Sequence, residues 1–367
     1  MERSLELCLR SLKSDETRRN YKLHIVYFRK SQGFKNADEI LNCEVHELEN
    51  KIIDYVMELS ERVNPNTVPA YCHAIKSFLE INDVDLNWRK IKKFYPRQKK
   101  ITGQSAYSNE EVALMLSHTS KIKNKAVIHF VASSGIRGGA FDSLSMKDIR
   151  DMPHGCKMIT VYADDIEEYK TFLTPEASAA LELYLKQRRD SGEIITANSH
   201  VFVNRDGSRA GYTAIQMIIK RVTLKANIRG QKKDNRFRVQ VCHGFRKRFN
   251  STLKLNNAVN DNAIEKMMGH KNGLDGTYLQ ISDERLFEEF YKGVPDLTVS
   301  SHERDQIKIK ELENQAVPDQ QEIADKIMPE IMVALNKKLG LDKLTPDVVD
   351  TLSKEQLQNL VKNFVVN

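Results

Sequence analysis

The chain has 367 residues, of which 40% are hydrophobic and 29% are charged, a composition typical of folded, water-soluble proteins with room for two domains and a tail. No apolar run approaches the roughly 18 residues of a membrane-spanning helix, and the charged N-terminal stretch lacks the apolar core of a secretory signal. We therefore expect no membrane partner and a cytoplasmic, intracellular location. Five scattered cysteines without a CxxC pair favour reduced thiols over a disulfide or zinc framework.

The net charge of +7 is distributed unevenly along the chain. From Ser300 onward there are 9 Lys and Arg against 12 Asp and Glu, so the rest of the chain has 48 against 38, a net charge of +10. The densest basic stretch, Lys220 to Arg248, contains eleven basic residues and a single acid. Such a stretch attracts phosphates independently of base sequence, which indicates a nucleic-acid partner. Its candidates for contacts with either the DNA backbone or the base edges are Arg229, Arg236 and Arg238.

Residues 1–95 are predicted to form a small helical unit. Apolar side chains recur at helical spacing from Thr17 to Arg29, from Leu48 to Leu59 and from Asn66 to Leu79. Pro65 separates the last two helices because proline cannot extend the helix that precedes it. Periodicity and composition together indicate a helical domain and nothing more specific.

A basic, aromatic-rich stretch runs from Trp88 to Gly103, and we interpret it as the interdomain linker, with residues 96–106 as the segment between the two predicted domains. Its lysines and arginines, interleaved with Trp88, Phe94 and Tyr95, favour a strap along a phosphate backbone. The alternative is a solvated linker whose aromatic side chains are buried in one domain.

A second domain is predicted from residue 107 to residue 297. Ser108 and Glu111 form the pattern of a capping box ahead of an apolar run, which predicts the start of a helix. The alternation between Lys157 and Leu173 predicts two strands on either side of an acidic turn, residues 163–168. The domain is therefore expected to be helical with a small sheet.

The tail, residues 298–367, is polar and acidic, yet apolar residues recur every four positions from Ile323 to Leu339. This pattern predicts short amphipathic helices for oligomerisation or for another partner, with disorder near Ser300 as the alternative. The fold class predicted for the whole chain is mostly α with a small β-sheet (α+β).

The stretch from Val241 to Gln280 contains residues suited to phosphodiester chemistry. His243 and Arg246 have HxxR spacing, which places both on one face of a helix. A Gly-His pair ending in His270 follows, and Tyr278 comes eight residues later. A phosphodiester that is held and cut needs guanidinium groups on its oxygens, an imidazole and a nucleophile. All these kinds of group occur in this stretch.

Arg137, which follows the small-residue turn Ser-Ser-Gly-Ile, adds a second guanidinium upstream. With this arginine, the HxxR motif, the Gly-His pair and the later tyrosine, the sequence resembles the tyrosine recombinase, or phage integrase, family. The resemblance implies a helical core-binding domain at residues 1–95, lying against DNA, and a tyrosine recombinase catalytic domain at residues 107–297. The catalytic residues that it implies are Arg137, Lys170, His243, Arg246, His270 and Tyr278.

The resemblance also implies a reaction. In this family the tyrosine attacks a DNA phosphate and forms a 3′-phosphotyrosyl bond, which the 5′-hydroxyl of the same or another strand reverses. The expected function is therefore a site-specific recombinase or integrase, acting on double-stranded DNA as a homo-tetramer on two sites. No cofactor or metal is implied, and the sequence has no P-loop motif. A type IB topoisomerase, or a DNA-binding protein that has lost cleavage, are the alternatives.

Two departures from the family pattern concern the arginine and the nucleophile. The family usually has an acidic residue three positions after the first arginine, where this chain has Ala140, with Asp142 nearby. The family's tyrosine usually comes nine residues after the Gly-His pair, so Tyr278 comes one residue early. Tyr291 is therefore the alternative nucleophile.

The third departure concerns the general acid. The family has a lysine on a β-turn between the first arginine and HxxR, near the oxygen that leaves. In this chain the aligned turn, residues 163–168, is acidic. Lys170 is the nearest candidate and Lys157 the second, so the assignment of the general acid stays open.

Overall fold

The computed structural model describes residues 2–100, 105–228, 237–270 and 281–316. The chain divides into two compact units, Met1–Ile101 and Thr102–Asn367. The first unit consists of helices, and the second adds a small three-stranded sheet. The predicted fold class, mostly α with a small sheet, is thus confirmed. In the part of the chain that the structure describes, none of the helices has the length and apolar character to cross a membrane.

The first unit is built from helices that share one apolar core. Its core centres on large buried side chains such as Phe28, Tyr55 and Phe78, which come from three different helices. They lie on the stripes that helical spacing predicts, since each stripe faces the core once the helices pack. The helices are α1 (Arg3–Ser11), α2 (Asp15–Ser31), α3 (Ala37–Leu41), α4 (Val45–Arg62), α5 (Val68–Ile81) and α6 (Trp88–Lys92).

Helix α6 corrects the expectation that the linker begins at Trp88. Trp88 is 8% exposed and Ile91 is fully buried, and both belong to the core of the first unit. Tyr95 packs against the same core, whereas Phe94 is exposed. Trp88 is therefore buried and Tyr95 partly buried in the helical unit, which was the alternative interpretation, because large apolar surfaces are more stable away from water.

The second unit contains an antiparallel sheet in the order β1-β2-β3. Its strands are β1 (Ile149–Asp151), β2 (Lys157–Val161) and β3 (Tyr169–Leu173). Strands β2 and β3 confirm the predicted pair around the acidic turn, whereas β1 is too short to give an alternation in the sequence. The helices are α7 (Asn109–Ser117), α8 (Ile122–Ser134), α9 (Pro175–Asp190), α10 (Tyr212–Lys225), α11 (His243–Leu255), α12 (Asp261–Met267), α13 (Asp283–Lys292), α14 (Val294–Leu297) and α15 (Ser301–Ala316).

The sheet separates two apolar cores because successive side chains of a strand point to opposite faces. On β3, Tyr169 packs in a first core with residues of α7 to α11. Phe172 packs in a second core with residues of α12 and α13. Helix α11 contributes Phe245 to the first core and Phe249 to the second. This helix thereby packs in both cores, and its first turn carries the HxxR motif.

Both predicted boundaries of the second unit can be compared with the structure. The capping box of Ser108 and Glu111 is present at the start of α7, as predicted. At the other end, Glu176 accepts hydrogen bonds from the backbone N–H groups of Val299 (2.8 Å) and Ser300 (3.0 Å). A helix, α15, follows directly, so the alternative of disorder at Ser300 is wrong. The apolar repeat from residue 323 to 339 lies outside the described residues.

Candidate active site

Helix α8 ends at a glycine turn that presents Arg137. Gly135 has φ of +56°, a left-handed conformation that side chains with a Cβ rarely adopt. A Cβ at this position would lie 2.6 Å from the ring of Phe249. The turn leads directly to Arg137, which precedes the 3-10 helix Gly138–Asp142. The small-residue pattern in the sequence is thus a helix terminus whose geometry requires glycine.

The Arg137 side chain is fixed by several contacts yet keeps access to solvent. Its Nη2 donates to the carbonyl of Gly269 at 2.5 Å, and its Nη1 donates to Oε2 of Glu167 at 2.9 Å. The guanidinium carbon lies 5.5 Å from the centroid of the Tyr169 ring, and the backbone N–H donates to the Tyr169 hydroxyl at 3.0 Å. Because the side chain is 30% exposed, an anion can still approach the guanidinium.

Arg246 reaches the same place from helix α11. Its Nη1 donates to the carbonyl of Gly135 at 2.9 Å, and its Nη2 donates to the carbonyl of Met268. The same Nη2 lies 3.1 Å from Nε2 of His270. Burial lowers the pKa of this guanidinium, but an arginine remains protonated in proteins. Arg246 is therefore a fixed positive charge beside Arg137.

His270 is positioned by a second left-handed glycine. Gly269 has φ of +61°, and a Cβ added to it would lie 2.5 Å from the Tyr169 ring. Directly after this turn, Nδ1 of His270 lies 2.5 Å from Oε2 of Glu265, while Nε2 faces Arg246. The structure thus brings both arginines and this histidine together around one tyrosine ring.

His243 is the first residue of α11, one helical turn before Arg246, so both lie on the same face of the helix. Burial and the positive charges of Lys247 and Arg246 lower the pKa of His243 below its usual value. The imidazole is therefore neutral at neutral pH. A neutral imidazole is able to accept a proton from a reacting hydroxyl.

Two tyrosines at this site, Tyr162 and Tyr169, were not singled out in the sequence. The hydroxyl of Tyr162 lies 3.1 Å from where a Cβ on Gly139 would be, and the two tyrosine rings are 6.4 Å apart. Burial raises the pKa of both phenols, so both hydroxyls stay protonated at neutral pH. Tyr169 lies on a strand, where tyrosines are common, and Tyr162 directly follows one, so the sequence pattern alone does not distinguish these two from packing residues.

Lys170 lies on the other side of the sheet. It follows Tyr169 on β3, so its side chain points to the opposite face. Its Nζ lies 2.6 Å and 2.8 Å from the two carboxylate oxygens of Asp283 on α13. Arg150 also approaches this carboxylate, at 3.6 Å. The structure therefore places this lysine in an ion pair with α13 rather than beside the two arginines.

Lys157 and Asp142, the candidates to replace two residues of the family pattern, also contact residues outside the candidate site. Lys157 lies 2.5 Å from Asp151 and 2.9 Å from Glu182, on the first strand and the helix that flank it. Asp142 accepts a hydrogen bond from the backbone N–H of Tyr212 at 2.9 Å, which caps the start of α10. Both side chains thus have contacts that explain them as structural residues.

The two candidate nucleophiles differ in how far the structure describes them. Tyr278 lies outside the described residues. Tyr291 is on α13, where its ring stacks on His154 with the centroids 4.5 Å apart and borders the second core. Tyr169, which contacts Arg137, belongs instead to the first core on the opposite face of the sheet.

The predicted basic stretch is described in part. Lys220 and Arg221 are exposed on α10, as expected for a surface that attracts phosphates. Arg238 donates to the carboxylate of Glu111. The other two candidates for base contacts, Arg229 and Arg236, lie outside the described residues.

Comparisons with known proteins identify relatives of this arrangement. Residues 106–281 match the phage integrase family. The chain is similar to the Tn1549 transposon integrase in complex with transposon right end DNA, with 14% identity, a TM-score of 0.52, and coverage of 79% of this chain and 98% of that chain. It is also similar to the XerH site-specific recombinase bound to its difH substrate, with 16% identity, a TM-score of 0.51, and coverage of 74% and 78%. No curated protein matches the sequence. At these identities the structural likeness shows a shared fold.

Proposed function

Residues 106–281 form a domain of the phage integrase family, and we propose that this domain cuts and rejoins DNA at specific sites through a 3′-phosphotyrosyl bond. The observation that carries the proposal is the meeting of groups that bind phosphate. Arg137 donates to the carbonyl beside His270, and Arg246 donates to the carbonyl of Gly135 and lies 3.1 Å from His270. Residues far apart in the sequence thus form one cationic site.

The proposed reaction exchanges one phosphodiester bond for another. The hydroxyl oxygen of Tyr278 attacks the scissile phosphorus, and the bond from phosphorus to the 5′ oxygen breaks. The phenolic proton passes to a base, and the 5′ oxygen takes up a proton as it leaves. Attack by a 5′-hydroxyl on the phosphotyrosyl bond reverses both steps. Because the covalent bond conserves the free energy of the phosphodiester, the scheme needs no nucleotide.

The arginines and histidines have separate roles in this scheme. Arg137 and Arg246 donate to the nonbridging oxygens and stabilise the negative charge that grows in the transition state, an effect that is strongest where water is excluded. Since His243 is neutral at neutral pH, it is suited to accept the phenolic proton. His270, whose Nε2 lies 3.1 Å from Arg246, is suited to the same proton transfer.

The scheme also needs a proton donor for the 5′ oxygen. Lys170 stays a prediction, because its contacts with Asp283 explain it as a structural residue. If Lys170 is the donor, Lys170→Met slows cleavage by about 10²- to 10⁴-fold. If it is not, cleavage is unchanged and the free energy of unfolding falls by less than about 1 kcal/mol, as for other partly exposed ion pairs. Lys157→Met tests the second candidate in the same assay, and Lys186→Met, which removes an exposed ion pair with Asp190 on α9, is the control.

Double-stranded DNA is the proposed partner. The net charge of +10 on residues 1–299 favours binding along a phosphate backbone that weakens as salt rises. The two similar structures described above are complexes with DNA. We further propose a homo-tetramer on two DNA sites, which mass photometry of the DNA complex tests, and a DNA-associated location in the cell.

The first experiment tests covalent cleavage. Binding sites are enriched from genomic fragments, and a substrate nicked beside the candidate site is incubated with the protein in the presence of a chelator. We expect a covalent adduct with wild-type protein and with Tyr291→Phe, and none with Tyr278→Phe. An adduct lost in Tyr291→Phe and kept in Tyr278→Phe would move the nucleophile to α13.

The remaining outcomes separate the alternative functions. Tight, salt-sensitive binding without an adduct from the wild-type protein would identify a DNA-binding protein on the same scaffold. The ion pair of Glu167 with Arg137, which occupies a phosphate-binding group with a carboxylate, is the observation that favours this alternative. Relaxation of supercoiled plasmids that lack the enriched site would instead indicate a topoisomerase.

A further inference from the structure

Glu265 lies directly behind His270 because of the way helix α12 ends. The backbone N–H of Gly269 donates to the carbonyl of Lys266 at 2.9 Å, and the N–H of His270 donates to the carbonyl of Glu265 at 3.0 Å. These two bonds, with the left-handed Gly269 between them, form a Schellman motif. The motif folds His270 back over the last turn of α12. Residues that are five positions apart are thus brought into contact through both backbone and side chain.

The hydrogen bonds of the His270 ring assign its proton. Nε2 lies 3.1 Å from Nη2 of Arg246, and because a guanidinium can only donate, Nε2 must accept. The ring proton is therefore on Nδ1, which lies 2.5 Å from Oε2 of Glu265 and donates to it. In the neutral ring, only the Nδ1–H tautomer can accept from Arg246 and donate to Glu265 at the same time.

Glu265 is suited to this role because it stays ionised. Its other carboxylate oxygen, Oε1, accepts a hydrogen bond from Nζ of Lys254 on α11. Burial raises the pKa of this carboxyl, but the hydrogen bonds from Lys254 and His270 outweigh burial and lower the pKa below its usual value. A carboxylate held from two directions fixes the orientation of the ring that it contacts.

We propose that Glu265 is a positioning residue, which holds His270 in the Nδ1–H tautomer and keeps the unprotonated Nε2 beside Arg246, where it can take up a proton during the reaction. This inference rests on the function proposed above. Glu265 does not touch the DNA in this scheme. Its effect is therefore on the rate of strand cleavage in the bound complex, and the affinity for DNA stays the same.

The kinetic test measures the rate of adduct formation on the nicked substrate at saturating protein, alongside the dissociation constant for DNA. We expect Glu265→Ala to slow cleavage by about 100-fold and Glu265→Gln, which keeps an oxygen acceptor, by about tenfold, a range taken from the orienting partners of metal-ligating histidines. Both variants should bind DNA within twofold of the wild type.

Glu289→Ala is the matched control. Glu289 is 6% exposed, its Oε2 accepts from the backbone N–H of Asn260 at 2.9 Å, and its Oε1 contacts Lys292 at 2.7 Å. It therefore supports the start of α12 as a buried carboxylate without contacting His270. We expect a loss of stability and an unchanged cleavage rate at a temperature where the variant is folded. Equal slowing by Glu289→Ala and Glu265→Ala would show a merely structural role and overturn the proposal.

A second measurement needs no DNA and covers the case in which Glu265→Ala does not fold. The Nδ1 proton of His270, in a short bond to a carboxylate, should give a far-downfield proton resonance, assigned by its loss in His270→Asn. We expect this resonance to move upfield in Glu265→Gln and to persist in Glu289→Ala. A Gln variant with the wild-type resonance and the wild-type rate would contradict the proposal. Absence of an adduct from the wild-type protein would instead refute the proposed function.

Discussion

Two arginines on helix α11, Arg246 and Arg248, are both buried, with 8% and 2% of their surface exposed. Both also donate hydrogen bonds to backbone carbonyls near the C-terminal end of α8. Arg246 donates to the carbonyl of Gly135 at 2.9 Å, and Arg248 donates to that of Ala132 at 2.7 Å. Burial and hydrogen bonding to carbonyls therefore do not distinguish a candidate catalytic arginine from a structural one.

The neighbours of the two guanidinium groups do distinguish them. Arg248 also donates to the carbonyl of Leu297 at 2.9 Å and to the side chain of Asn109, and burial lowers its pKa to about 10. It thereby ties α7, α8 and α14 to α11. Arg246 instead donates a hydrogen bond to Nε2 of His270 and lies beside Arg137. One face of the helix thus stabilises the domain, and the other face presents the site.

The largest expected effect is a loss of stability when Arg248, on the face of α11 that stabilises the domain, is replaced. Arg248→Met keeps an apolar stem but removes several charge-assisted hydrogen bonds and leaves buried carbonyls without donors. We expect the free energy of unfolding to fall by about 3–5 kcal/mol. Urea denaturation of the two single variants, Arg248→Met and Arg246→Lys, measures this directly. A smaller loss for Arg248→Met than for Arg246→Lys would contradict the division of the helix into two faces.

The second largest expected effect is a slower rate of DNA cleavage when Arg246, on the opposite face of α11, is replaced. Arg246→Lys keeps the charge but carries all its donors on a single nitrogen, so it cannot contact the phosphate and the two carbonyls together. Cleavage of the nicked substrate should slow by about 10²- to 10³-fold, as when one donor to a transition-state oxyanion is lost. The rate of adduct formation at saturating protein is the measurement. A folded Arg246→Lys protein that cleaves at the wild-type rate would remove Arg246 from the proposed site.

A third variant tests the glycine turn that joins the two arginines. Gly269→Ala introduces a Cβ at a left-handed φ and 2.5 Å from the Tyr169 ring, so we expect a loss of about 1–3 kcal/mol in stability and slower cleavage. Gly192→Ala is the control, since Gly192 also has positive φ, +88°, but nothing lies within 4 Å of its added Cβ. Similar losses in the two variants would show that backbone strain, and not the ring contact, decides the effect.

The smallest effect concerns the acidic turn. Because the carboxylate of Glu167 pairs with Arg137 at 2.9 Å, it competes with a DNA phosphate for that guanidinium. Glu167→Gln should strengthen DNA binding by about two- to fivefold, the range of a partly exposed ion pair. Glu168→Gln, whose carboxylate accepts from the backbone N–H of Asp164, is the control for charge alone. Equal gains in both variants would indicate a general electrostatic effect.

Local patterns in the sequence predicted the elements that carry the site. The capping box at Ser108, the strand pair around residues 163–168 and the helix with HxxR are all present. Each depends on residues close in the chain, so each is encoded locally. The burial of Trp88 in the first unit was only the alternative interpretation of the sequence, because basic neighbours mark a linker and a buried helix end equally well.

The contacts within the site could be predicted less well because they are tertiary. Tyr169 and Lys170 are neighbours on β3, and the period of a strand sends them to opposite faces, but which face meets Arg137 depends on how α11 and α12 pack. Glu265 meets His270 because a left-handed Gly269 reverses the chain. A glycine before a histidine is too common in sequences to predict that reversal.

The most direct test of the central claim is to identify the residue that carries DNA in the trapped adduct. Nuclease treatment followed by trypsin places Tyr278 in the peptide 272–285 and Tyr291 in the peptide 286–292, each with one tyrosine. Our account predicts that mass spectrometry finds the nucleotide on the peptide 272–285. A nucleotide on the peptide 286–292, or on any peptide that contains another tyrosine, would contradict it.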